Sequence, residues 1–185
     1  MRRHVVFTDR DGVINRNSPD YINRPEEFDF LPGSRAALCR LAENGFDIIV
    51  VTNQSALGRG FMTIGTLDEI HRRMVAAVEA DGGRILDILV CPHLPGDGCG
   101  CRKPAPGLLL DAQRKHRIDF SAAVMIGDSV TDIECAYRAG LRAALLVRSG
   151  NGVDAVGELT ARGCLPDAIA DDLNQAADWI IATIR

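Results

Sequence analysis

The chain reads as an α/β protein, a mainly parallel sheet with helices on both faces, forming three layers in one domain over residues 1–185. Three observations predict this. Short, continuous apolar runs recur along the sequence, amphipathic helical patterns separate them, and no linker, repeat or low-complexity tract breaks the alternation. Strands buried on both faces are near-continuous hydrophobic runs, and a β-α-β-α order fits parallel pairing through helical crossovers.

The first strand is HVVFT at 4–8, which runs straight into Asp9-Arg10-Asp11-Gly12. Residues 13–32 then read as a long irregular segment. A helix at 33–44 sets Leu38, Leu41 and Ala42 on one face and stops at Gly45. FDIIVVT at 46–52 is the second strand, 64–81 a helix, and ILDILVC at 85–91 the third strand. The Gly/Pro/Cys-rich stretch 91–105 is the second irregular segment. A helix at 106–116, the strand AVMIG at 123–127, a helix at 130–139 and the strand LRAALLV at 141–147 follow. The tail 171–184 closes the chain as a helix with Leu173, Ala177, Ile180 and Ile184 inward and Trp179 among core residues.

Hydrophobic residues make up 46% and charged residues 25% of the chain, which suits a globular protein and excludes a disordered one. Net charge is −4 with no dense Lys/Arg block, so neither nucleic acid nor a membrane surface is expected as the main partner. No apolar run approaches the ~20 residues of a membrane span, and the four-residue run before Asp9 is too short for a signal-peptide core. A cytoplasmic monomer is the expectation. Cys39, Cys135 and Cys164 read as small buried apolar residues. Cys91, Cys99 and Cys101 crowd one segment with His93, a grouping that in a reducing compartment suggests metal more than disulfides. His4, His71 and His116 find no partner in sequence.

Open parallel sheets bind ligands beyond the carboxyl ends of their strands, so the residues just past each strand belong together. They are Asp9 and Asp11; then Thr52, Asn53, Gln54 and Ser55; then the Cys/His cluster running into Arg102 and Lys103; then Asp128, with Ser129 and Asp132. Carboxylates crowded on one rim require a cation or protons. Hard oxygen ligands suit Mg²⁺, held through Asp9 and Asp128 together with a substrate phosphate. A carboxylate beside such a cation can attack phosphorus, and Asp9 is assigned that part. Asp11 would protonate the leaving alcohol and then activate water. The Thr52 hydroxyl, the Asn53 backbone N–H and the Lys103 ammonium would stabilise the transferring phosphoryl group, and Gly12 would let backbone approach it. Taken singly, each of these residues has an ordinary reading as a turn, cap or surface side chain. Asp132 either ligates the metal or supports the site by a hydrogen bond.

In this order, Asp9-x-Asp11, Thr52, Lys103 and Gly127-Asp128 with Asp132 resemble the four motifs of the haloacid dehalogenase superfamily of phosphatases. That likeness implies a Rossmann-like sheet, an aspartyl-phosphate mechanism, and Mg²⁺ held by Asp9, the Asp11 backbone carbonyl and Asp128. The strings DRDGVIN, VVTNQS with Arg59-Gly60, CPH followed by CGCRKPAPGLL, IGD and LLVRSG are similar to the D-glycero-D-manno-heptose 1,7-bisphosphate 7-phosphatase family. Such enzymes have no large cap domain and build substrate contacts from three loops, which 13–32, 52–60 and 91–105 would supply. The matching positions are Asn17, Ser18, Pro19, Asp20 and Tyr21; Thr52, Asn53, Gln54 and Ser55; and Arg102 with Lys103. Arg102 and Arg59 would hold the phosphate that is retained. The family usually carries lysine where this chain has Ser129. The resemblance implies a small phosphorylated sugar as substrate, on the route to nucleotide-activated heptose (ADP-heptose) for bacterial lipopolysaccharide biosynthesis.

Cys91, His93, Cys99 and Cys101 make a Cys₃His set, the donors of a closed structural Zn²⁺ site that would stiffen the loop 91–105 and hold Arg102 and Lys103 at the rim. Histidinol-phosphate phosphatase shares DRDG, TNQ and CPH…CxCRKP and is the rival substrate reading. A phosphoacceptor receiver domain also groups acids, Thr/Ser and Lys at a sheet end, but it carries no such cysteine cluster.

Overall fold

The computed structural model describes residues 3–184; the first two residues and the last of the expected 1–185 domain lie outside the described residues. The elements are β1 (His4–Thr8), α1 (Ser34–Glu43), β2 (Phe46–Asn53), α2 (Ser55–Gly58), α3 (Ile64–Ala80), β3 (Ile85–Cys91), α4 (Gly107–His116), β4 (Ala123–Gly127), α5 (Val130–Ala139), β5 (Ala143–Val147), α6 (Gly152–Ala161), β6 (Ala168–Ala170) and α7 (Leu173–Thr183). The strands form one parallel sheet in the order β3-β2-β1-β4-β5-β6. Strand order reverses between β1 and β4, and the crevice above that reversal is where such sheets bind ligands.

The period-2 alternation of strand side chains divides the core into two layers. Val6, Ile48, Val50, Val124, Ile126 and Leu145 pack against α1, α3 and α7, whereas Val5, Phe7, Ile49, Val51, Met125 and Leu146 pack against α4, α5 and α6. Val6 and Phe7 are fully buried on opposite faces of β1, each burial being worth roughly 1.5–3 kcal/mol. This sandwiching anchors β1 and with it the position of Asp9. Helices α3 and α7 begin at polar caps: Thr63 accepts from Thr66 N (3.1 Å), and Asp172 from Gln175 N (2.9 Å).

The structure departs from the sequence reading in several places, among them α2, which falls inside the loop expected at 52–60. β3 was expected to be buried on both faces; it is the sheet edge, and only its ends, Ile85 and Cys91, are buried. Its Asp87 pairs with Lys115 (2.8 Å) and His116 (2.7 Å) of α4, so His116 does have a partner. The fifth strand starts at Ala143 and not at Leu141, because Arg142 N turns aside to the Phe120 and Ala123 carbonyls. α6 and β6 have no counterpart in the reading: α6 carries two glycines, which weaken a helical pattern, and three residues are too few to show strand periodicity. Cys164 is half-buried, unlike Cys39 and Cys135.

The segment between β1 and α1 is irregular but not loose. Leu31 N donates to Ile14 O (2.9 Å) and Arg16 N to Asp29 O (2.9 Å), while Val13 and Ile14 are fully buried. This tight loop and the short α2 stand at the rim, with no cap domain among the described residues.

Candidate active site

Asp9 begins the site. Its backbone N still donates to Ile126 O (2.9 Å), so the β1–β4 ladder continues one residue past the strand and fixes Asp9 over the crevice. Its Oδ1 accepts from Arg10 N (2.8 Å) and pairs with Lys103 Nζ (2.9 Å). Lys103, almost fully buried, also reaches Asp132 Oδ1 (2.6 Å) and Val51 O (2.8 Å). Its ammonium thus donates a hydrogen bond to the carbonyl and forms ion pairs with both carboxylates. Lys103 therefore clamps Asp9 by charge.

Asp11 is held more elaborately. Its carboxylate accepts Nε and Nη2 of Arg10 (2.8–3.2 Å), Asn15 Nδ2 (2.8 Å) and Gln54 Nε2 (2.7 Å). Gln54 also donates to Thr52 Oγ1 (2.9 Å), tying the loop after β2 to the loop after β1. Asp128 Oδ2 accepts the backbone N (2.8 Å) and Nδ2 (3.0 Å) of Asn151, which follows β5. Two glycines permit this closure. A Cβ on Gly12 (φ +83°) would lie 2.1 Å from Asp128 Oδ2, and one on Gly150 (φ +59°) 2.2 Å from the same atom. Gly12 is thus required by Asp128, a different reason from the phosphate approach expected of it.

Electrostatics separate the three acids at the cleft floor. Burial raises Asp9 to about 6, with Lys103 pulling it down and Asp132 and Asp11 pushing it further up. Burial, then the Asp132 and Asp9 charges, raise Asp128 to about 8. Burial also acts to raise Asp11, but Arg10 and the hydrogen bonds from Asn15 and Gln54 outweigh it and hold this carboxyl below its ordinary value. Buried carboxylates this close together are stabilised by protons or by a cation. Asp9, Asp128 and Asp132 each offer an oxygen within 4.8 Å of the others. Both oxygens of Asp132 are already engaged, one by Lys103 and the other by Ser129 N (3.1 Å) and Ser129 Oγ (2.6 Å), the box that caps α5. That geometry favours the supporting role for Asp132, and it also places Ser129, where lysine was expected, in the helix cap.

A cleft of about 240 Å³ opens above these acids. Of the residues expected at the site, Asp9, Asp11, Asn17, Ser18, Tyr21, Thr52, Asn53, Gln54, Ser55, Arg102 and Asp128 line it. Lys103 lies beneath, its backbone joined to the Asn53 amide at 3.1 and 3.2 Å. Arg102 Nη1 donates to Ser55 Oγ (2.8 Å) and His93 O (3.0 Å), which aims it across the mouth. Three expected residues stand apart from this cleft. Pro19 lines a separate depression with Asn17 and Gly150, and Asp20 is exposed at the lip. Arg59 is exposed and donates to Tyr21 OH (2.9 Å), which is itself at the cleft. Sequence reasoning passed over Arg10, Asn15, His71 and Asn151. Extending the strand-end rule to the fifth strand finds Asn151, and Arg10 sits between the two acids, but nothing local marks Asn15 or His71.

The cysteine cluster lies next to this cleft. Cys91, His93, Cys99 and Cys101 bring three Sγ atoms and Nδ1 together, with separations of 3.2–3.7 Å among the bonded pairs. No disulfide joins the cysteines. A tetrahedron with metal–sulfur bonds of ~2.3 Å has edges of about 3.8 Å, so the four donors fit one metal ion. Burial and the neighbouring sulfurs push the Cys101 thiol up to about 12, as expected where thiolates crowd without a cation.

Comparison with known proteins agrees with the fold. The protein family described as "HAD-hyrolase-like" matches residues 100–176. A D-glycero-beta-D-manno-heptose-1,7-bisphosphate 7-phosphatase of Pseudomonas aeruginosa is 39% identical over 181 residues, 98% of this chain and 99% of that protein. A D-glycero-alpha-D-manno-heptose-1,7-bisphosphate 7-phosphatase of Mycobacterium bovis is 42% identical over 134 residues, 71% of this chain and 70% of that protein. The crystal structure of D,D-heptose 1,7-bisphosphate phosphatase from B. bronchiseptica, complexed with magnesium and phosphate, superposes with a TM-score of 0.89 at 38% identity, covering 98% of this chain and 99% of that one. The chain belongs to the D-glycero-D-manno-heptose-1,7-bisphosphate 7-phosphatase family of HAD-like hydrolases.

Proposed function

We propose that the chain is a Mg²⁺-dependent phosphatase that removes the C7 phosphate of D-glycero-D-manno-heptose 1,7-bisphosphate through an aspartyl phosphate on Asp9. One observation carries the reading: Asp9, clamped by Lys103 through Oδ1, faces the same cleft as Asp11, Thr52 and Asp128, with Arg102 at the mouth. No hydrogen bond reaches Asp9 Oδ2 among the described residues, which leaves that oxygen to meet phosphorus. Asp9 and Asp128, with the Asp11 carbonyl, would hold Mg²⁺, which when bound neutralises the phosphate and the acids together.

In the first displacement Asp9 takes the phosphoryl group while Asp11, once substrate binding has protonated it against the pull of Arg10, Asn15 and Gln54, would deliver that proton to the departing C7 oxygen; in the second Asp11 takes a proton from water. The Thr52 hydroxyl, which accepts from Gln54, has its own proton for a phosphoryl oxygen. The Nε and Nη2 groups of Arg102 would grip the phosphate left at C1 by forked hydrogen bonds. Asn17, Ser18 and Tyr21 would contact the sugar from the other side of the cleft, with Pro19, Asp20 and Arg59 shaping its lip. The cysteine cluster would hold Zn²⁺ and work in the reducing cytoplasm, with the chain as a monomer. No helix among the described residues is long and apolar enough to cross a membrane.

Substrate identity is tested by kcat/KM for both heptose bisphosphate anomers and for histidinol phosphate. Heptose bisphosphate is expected to lead by about 10²-fold or more, because the retained phosphate adds binding energy that histidinol phosphate lacks. A higher value for histidinol phosphate would remove the assignment.

The raised acids carry a pH signature. With Asp9 at about 6 and Asp128 at about 8, the metal-free native state binds more protons than the unfolded chain across that window. Stability therefore falls as pH rises through it, opposite to the usual carboxylate. Mg²⁺ takes the place of those protons. The thermal midpoint of metal-free protein is expected to drop between about pH 5.5 and 8.5, Mg²⁺ to restore it, and the apparent Mg²⁺ affinity to increase with pH. Thermal melts with and without Mg²⁺ check all three.

Elemental analysis is expected to find about one Zn²⁺ per chain. Cys99→Ala, by loosening the loop that carries Arg102, is expected to raise KM by about tenfold with a smaller change in kcat. A zinc-free variant with wild-type KM would uncouple the loop from substrate binding.

A further inference from the structure

Behind the proposed acid/base lies a contact that no step of the reaction uses. Arg10 is fully buried, and its guanidinium forks onto Asp11, with Nη2 at 2.8 and 2.9 Å from the two carboxylate oxygens and Nε at 3.2 Å from Oδ1. Its remaining nitrogen, Nη1, lies 3.1 Å from Nε2 of His71. His71 is on α3, 61 positions away in sequence, and is 8% exposed. It falls on the inward stripe of that helix, beside Leu67, Ile70, Met74 and Val78, where an apolar side chain would pack without difficulty.

Chemistry settles the direction of the contact. A guanidinium has only donors, so Nε2 must accept, and the imidazole proton must sit on Nδ1. Burial, then the Arg10 charge, push the imidazole down to about 4, so that it is neutral and able to accept near pH 7. The carboxylate torsion of an aspartate is soft; Asn15 and Gln54 each hold one oxygen of Asp11, and the planar Arg10 fork, which reaches both, adds the largest constraint on its plane. A fork on a long side chain fixes that plane only if the far end of the guanidinium is held as well. His71 is the group that holds it.

We infer that His71 is a positioning residue for the proton-transfer step: through Arg10 it sets the orientation in which Asp11 meets the leaving oxygen. The inference rests on the reading of Asp11 as acid/base. Its particular consequence is dependence on the leaving group. An alkoxide must be protonated as it departs, whereas p-nitrophenolate leaves without help, so misalignment of Asp11 should slow the first far more than the second.

The test measures kcat and KM of His71→Leu and His71→Gln on the heptose bisphosphate and on p-nitrophenyl phosphate. For His71→Leu, kcat/KM, which reports the first displacement and not the water step common to both substrates, is expected to fall about 10- to 100-fold on the sugar phosphate and to stay within about threefold on the aryl ester. His71→Gln, whose amide oxygen can accept from Arg10, should recover most of the loss. An equal loss on both substrates, or no loss on either, would overturn the inference. Should His71→Leu fail to fold, His71→Asn, too short to reach Arg10, takes its place against His71→Gln in the same comparison. Imidazole ¹⁵N spectra of the wild type at pH 7 give a readout free of activity: Nε2 is expected to be unprotonated, and a proton found there would end the argument. If the wild type cleaves p-nitrophenyl phosphate but no sugar phosphate, the proposed function fails instead, while the spectra still judge the Arg10 contact.

Discussion

Asp9→Asn is expected to lower kcat by at least about 10⁴-fold, the scale on which loss of a covalent nucleophile acts, while the protein stays folded. Asparagine matches the shape of the aspartate, and its carbonyl oxygen can still accept from Arg10 N and Lys103 Nζ as Oδ1 does now. Burial already opposes the charge at this position, as the rise to about 6 records, so an uncharged group there should not destabilise the fold. What disappears is the nucleophile. Acid quenching of the wild type during the first turnover should trap phosphate on the peptide containing Asp9, and the variant should trap none. Normal turnover by the variant would exclude Asp9 as the attacking group.

Lys103→Met is expected to damage both activity and stability. The ammonium is almost completely buried between Asp9, Asp132 and the Val51 carbonyl. Breaking a buried pair by removing one partner costs about 3–5 kcal/mol, more than the pair itself contributes, because the other charge stays behind. Here two carboxylates stay behind. At about 2–4 °C per kcal/mol for a chain of this size, the thermal midpoint should fall by roughly 10 °C near neutral pH. The deficit should shrink as pH falls, since protonation of the stranded acids relieves it. Loss of the clamp on Asp9 should lower kcat by about 10³-fold in the same variant. Melts at several pH values, beside steady-state kinetics, separate the two effects. A variant as stable as the wild type at neutral pH would show that Lys103 does not neutralise these acids.

Most of the frame was legible because its signals are local. The runs at 4–8, 85–91 and 123–127 became strands with the same bounds, and the helix at 130–139 was placed residue for residue between its Ser129 cap and Gly140. The edge position of β3 was not legible. An apolar run looks the same in the middle of a sheet and at its margin, and only strand order decides which faces are covered. Gly12 shows the same limit at the site: its left-handed conformation suits any tight turn, and the atom that requires it, Asp128 Oδ2, is more than a hundred residues away.

By itself the sequence determined the kinds of group available and the strand ends that carry them: acids after β1 and β4, a threonine at the end of β2, and sulfur donors leading to Arg102 and Lys103. Those follow from periodicity and from bonds between near neighbours along the chain. Only the tertiary structure decided how the groups divide the work, with Lys103 spent on Asp9 and Asp132, Asp11 gripped by Arg10 with His71 behind it, and Asn151 steadying Asp128. The reason is physical. Hydrogen-bond valences and charge repulsions are settled between side chains that are neighbours in space, and a parallel sheet makes neighbours of residues that lie far apart in the chain.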